Sequence, residues 1–74
     1  MSEHWRMALN DYIQKNNLGA HVQWTQTQAG PQNALSWTAC VFFRGVEYGR
    51  GSATTLGAAR ELAAEQALRA LSGA

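Results

Sequence analysis

The spacing of apolar residues changes twice along the chain, and each change marks a new element. Trp5, Leu9, Tyr12 and Ile13 recur at helical spacing, while Arg6, Asn10, Asp11, Gln14 and Lys15 fall elsewhere. This pattern predicts an amphipathic helix over 4–18. Asn16-Asn17, followed by Leu18-Gly19, supplies its C-terminal stop. From Val22 the period becomes two: Val22, Trp24, Gln26 and Gln28 alternate with Gln23, Thr25 and Thr27, a half-buried strand. Ala29-Gly30-Pro31-Gln32-Asn33 reads as a turn. In a second strand Trp37, Ala39, Val41 and Phe43 alternate with Thr38, Cys40, Phe42 and Arg44. Gly45 breaks that strand, and Val46 to Gly49 forms a short third one.

A glycine-rich segment, Gly49-Arg50-Gly51, then leads into an alanine-rich helix from near Thr55 to about Leu71. The Thr55 hydroxyl can cap its start, and Gly73 ends it. Ala59, Ala63 and Ala67 form one stripe beside Leu68 and Leu71, so this helix can lie close on its neighbour. Strands joined by short connections imply an antiparallel meander. The expected fold is α+β, ordered α-β-β-β-α, with both helices on one face of a three-stranded antiparallel sheet.

Composition narrows this picture without changing it. Seventy-four residues, 46% of them hydrophobic and 15% charged, fit one globular domain over 1–74 with a core of about 5–71. Six basic residues face five acidic ones, a net charge of +1, which is less basic than a nucleic-acid module usually is. One cysteine excludes an internal disulfide, and two distant histidines give no zinc spacing. No metal or cofactor is expected. No apolar run approaches a membrane span and no secretory leader is visible, so an intracellular domain, cytoplasmic or nuclear, is expected. A Cys40–His21 pair would lack an orienting third group and an oxyanion site, so neither catalysis nor a small-molecule substrate is expected.

Four segments in this order resemble the double-stranded RNA-binding domain family. Leu9-Asn10-Asp11-Tyr12-Ile13-Gln14-Lys15-Asn16 is similar to its first helix. Gly30-Pro31-Gln32-Asn33, followed by Trp37, resembles its Gly-Pro-x-His loop and the aromatic strand residue after it. Gly49-Arg50-Gly51 resembles the Gly-x-Gly after the third strand, and Ala59, Ala63-Ala64 and Ala67-Leu68 match the alanine pattern of the second helix. The resemblance runs from about Trp5 to Leu71 and implies a module that reads the shape of duplex RNA across two minor grooves and the phosphates between them.

Carried over residue by residue, the resemblance places Asn10 and Asp11, with Met7 and Gln14 one turn to either side, against one minor groove. It places Gly30, Pro31, Gln32 and Asn33 in the loop that enters the next. Thr55, Leu56, Gly57 and Arg60 fall where the second helix meets phosphate, with Arg50 adding charge from a loop below. Leu56 and Gly57 occupy the positions of the family's lysine pair, and of its three basic positions only the last is kept, as Arg60. Binding is therefore expected to be weak, with a shallow salt dependence. Arg60 could instead pair loosely with Glu65.

A different function class competes. If Trp37, Ala39 and Val41 face the helices, then Cys40 and Phe42 face an open side of the sheet. With Arg44, Val46 and Tyr48 they outline a surface for a protein partner or a second copy, next to the edge of the third strand. Trp24 and Trp37 are read as core residues, and His4 and His21 as surface ones.

Overall fold

A computed structural model describes residues 4–73; residues 1–3 and 74 of the expected domain lie outside it. Along the chain run α1 (Trp5–Lys15), a 3₁₀ turn (Gly19–His21), β1 (Val22–Ala29), a 3₁₀ turn (Gln32–Ala34), β2 (Ser36–Phe43), β3 (Val46–Ala53) and α2 (Leu56–Ser72). The strands pair antiparallel in the order β1-β2-β3. This is the α-β-β-β-α order expected from the hydrophobic pattern.

Helix α1 stops at Lys15, three residues short of the expected end. Asn17 takes the left-handed conformation at φ 55°, and the Leu18 N–H returns to the Ile13 carbonyl at 2.9 Å. Asparagine tolerates that backbone better than most residues, so the turn closes there. The β2–β3 hairpin is equally local. Arg44 and Gly45 both have positive φ (54° and 81°), the arrangement of a two-residue type I′ turn.

Strand β3 departs most from expectation. It continues to Ala53, so Gly49 and Gly51 lie inside the strand and not in a turn after it. They sit opposite Val41 and Ala39 of β2 and face α2. A β-carbon at Gly49 would come 2.1 Å from the Ala63 carbonyl oxygen, and one at Gly51 would come 2.4 Å from that of Ala59. Glycine on the strand and alanine on the helix let the two backbones approach to a distance that leaves no room for a β-carbon on the strand. A sequence rule that treats glycine as a strand breaker cannot see this contact.

The core lies between the helices and the sheet. Leu9 and Ile13 of α1 join Val41 and Phe43 of β2 and Ala64 and Ala67 of α2 in one cluster. Ala39, Ala59 and Ala63 continue it toward the start of α2. Trp24 and Trp37, expected as core, are half-buried and pack on the margin of these clusters. A bulge between Val41 and Phe42 turns Tyr48 toward the core, where its ring meets Phe43 edge-on at 5.5 Å.

Candidate nucleic-acid interface

The interface is built on how α1 and α2 are held. His4 gives α1 no side-chain cap, and the first turn carries no acidic residue. The cap comes instead from α2. The Trp5 and Arg6 N–H groups donate to Glu61 Oε1 at 2.7 and 3.3 Å, and Arg6 Nε donates to Oε2 at 2.7 Å. Burial pushes the Glu61 carboxyl up, but the Arg6 guanidinium and the two N–H donors outweigh it and hold the carboxyl below its ordinary value. At the other end the Tyr12 hydroxyl donates to the Leu71 carbonyl at 3.0 Å. The two helices are thus clasped at both ends and run in the same direction.

This clasp sets the exposed stripe of α1 beside the start of α2. Arg6, Asn10, Trp24 and Arg60 line one cleft of about 330 Å³. His4, Arg6, Met7, Asn10 and Glu61 line a second of about 310 Å³. Of the residues singled out from sequence, Asn10 shares one cleft with Arg60 and the other with Met7, while Asp11 and Gln14 are exposed on the same helix. Arg60 does not pair with Glu65: its Nη2 donates to Gln26 of β1, and Glu65 pairs with Arg69 at 2.9 Å.

At the start of α2, Thr55 Oγ1 accepts the Ala58 N–H at 3.2 Å. The Leu56 and Gly57 N–H groups have no partner among the described residues. A side chain at Gly57 would meet nothing within 4 Å. Strand register brings the exposed loop Gly30–Asn33 to the same end of the sheet, because Ala29 pairs with Ser36 and Trp37 with Ala53. Gly30 holds that loop at φ 97°, where a β-carbon would come 2.6 Å from the Ala34 carbonyl oxygen.

Arg50 stands apart from this group. Flanked by two glycines that face α2, it points to the opposite side of the sheet, where it pairs with Glu47 at 3.0 Å. It lies in a strand, not in a loop below the helix. The competing protein surface is also broken up. Cys40, in the middle of the central strand between Thr25 and Arg50, is only 7% exposed, and Tyr48 turns toward the core. Phe42 is half-buried, while Arg44 and Val46 are exposed. The β3 edge is partly covered, since the Arg50 N–H donates to Gln66 of α2 at 3.2 Å.

Sequence reasoning passed over Arg6, Gln26 and Glu61. Arg6 precedes Asn10 by four residues and so shares its helix face, a legible signal. Gln26 lies 34 residues from Arg60 and Glu61 lies 55 from Arg6, separations at which no local pattern exists.

The profile of the family described as the double-stranded RNA binding motif matches residues 5–71. The chain belongs to this double-stranded RNA-binding family. Among solved structures it is similar to the first dsRBD of protein HYL1, with 31% identity and a TM-score of 0.72, over 88% of this chain and 92% of that one. Among curated proteins no significant match was found. The dsRBD family is a nucleic-acid-binding module and not a catalytic one, and its ligand class is duplex RNA.

Proposed function

We propose that this dsRBD binds duplex RNA by A-form shape, and more weakly than a member that carries the lysine pair. Met7, Asn10, Asp11 and Gln14 would lie in one minor groove, the Gly30–Asn33 loop in the next, and Thr55–Gly57 backbone with Arg60 at the intervening phosphates. The observation that carries the reading is the cleft lined by both Asn10 and Arg60, with the Leu56 and Gly57 N–H groups, one turn before Arg60, unpartnered among the described residues. A helix start of this kind accepts phosphate, and a planar guanidinium is well matched to its oxygens. The hydroxyl-rich shallow groove of RNA, which DNA lacks, supplies the selectivity.

The test is titration with an RNA duplex of about 20 base pairs and the DNA duplex of the same sequence, at two salt concentrations. RNA-selective binding that Arg60→Glu reduces is expected. Absence of binding at low salt, with a concentration-dependent dimer in sedimentation, would replace this reading with the protein-interaction one.

A further inference from the structure

The cleft between α1, β1 and α2 has cations on two sides, and only Arg60 belongs to the motif that the sequence suggested. Arg6 reaches it from the first turn of α1, its side chain 46% exposed. Its Nε is held by Glu61, but its terminal nitrogens make no hydrogen bond among the described residues. Arg60 is anchored at one nitrogen by Gln26. Asn10 and the half-buried Trp24 line the same cleft. The arrangement is two guanidiniums with free donors, from different elements, lining one open cleft.

We propose that Arg6 and Arg60 clamp one backbone phosphate of the duplex across this cleft, supplying from α1 part of the charge missing at Leu56 and Gly57. The proposal rests on the duplex-RNA reading above. Arg–phosphate contacts are directional, and a second guanidinium adds both charge and geometry. Glu61 then has two opposed effects: it holds the start of α1, and its negative charge repels a phosphate docking on Arg6. Without RNA the Arg6–Glu61 pair is neutral; when a phosphate docks, the terminal nitrogens of Arg6 turn to it while Nε stays on Glu61.

This opposition gives a test that a purely structural role would fail. The logarithm of affinity for the RNA and DNA duplexes is measured against the logarithm of salt for wild type, Arg6→Gln, Arg6→Lys and Glu61→Gln, with urea unfolding of each. Arg6→Gln should flatten the salt slope by roughly one unit, and Arg6→Lys should restore it. Glu61→Gln should lower stability yet tighten RNA binding at low salt by roughly threefold, the scale of one surface charge removed. RNA-selective wild-type binding with an unchanged slope in Arg6→Gln would overturn the clamp alone. So would weaker binding by Glu61→Gln in step with its lost stability. Binding that fails to distinguish RNA from DNA but keeps the Arg6-dependent slope would overturn the duplex-shape reading and leave the clamp standing.

Discussion

Gly51 and Gly57 are the same residue under opposite constraints. A methyl group at Gly51 would fall 2.4 Å from the Ala59 carbonyl oxygen and 2.7 Å from the Ala63 nitrogen, both backbone atoms of α2 that cannot yield separately. Gly51→Ala should therefore cost about 3 kcal/mol or more, because α2 has to lift from β3. Gly57 lies in the first turn of α2 with open space around it. Gly57→Ala should stabilise by roughly 0.5 kcal/mol, through a smaller loss of backbone entropy on folding. Urea unfolding of the two variants checks the pair, and equal shifts would contradict the close strand–helix approach. Both glycines are plain in the sequence; which one is pressed against a backbone is not.

Among elements, α1 depends on a residue outside itself. Short helices gain most of their stability from packing, and α1 also borrows its N-terminal cap from Glu61. Removing that carboxylate with Glu61→Ala should cost about 1 kcal/mol near neutral pH, the usual worth of a cap. The sign of its pH dependence follows from the lowered carboxyl pKa. A group that ionises more readily when folded stabilises fully above its unfolded value of about 4.3, and that contribution disappears as pH falls through the lower folded value. The stability gap between wild type and Glu61→Ala should thus be constant near neutrality and close in acid. A gap that persists in acid, once the carboxyl is protonated in both the folded and unfolded states, would show that Glu61 acts by packing and not by charge. Helix α2 contrasts with α1: its Thr55 cap and Gly73 end were legible locally, because both partners lie within one turn.

For the whole molecule, the distribution of charge matters more than its net value of +1. Arg6, Arg50 and Arg69 each pair with a glutamate, and Arg60 is held by a neutral glutamine. Arg50 also faces away from the helices, so the side proposed to meet RNA gains little from it. Restoring a cation where the family has one should then have a clear effect. Gly57→Lys, which the open space permits, should tighten RNA binding and steepen the salt slope by roughly 0.7–0.9 units. An unchanged slope would mean that the start of α2 does not reach phosphate. The effect requires α1, the Gly30–Asn33 loop and α2 to engage one duplex together.

What the sequence determined by itself was everything set by neighbours a few residues apart. The helix and strand periods, the Thr55 cap, the alanine stripe and the order of the motifs together specify a dsRBD. Local rules recognised Asn16-Asn17 as a stop but not which residue takes the left-handed turn, so the end of α1 was set three residues late. They also stopped β3 at Gly49, since they carry no information about a glycine accommodating another backbone. The tertiary structure decided the rest: the transfer of Glu61 to α1, the anchoring of Arg60 by Gln26, the burial of Cys40 and the turning of Arg50 away from the helices. Each of these depends on contacts between residues far apart in the chain or on which face of the sheet is covered. Such facts exist only once the helices have packed.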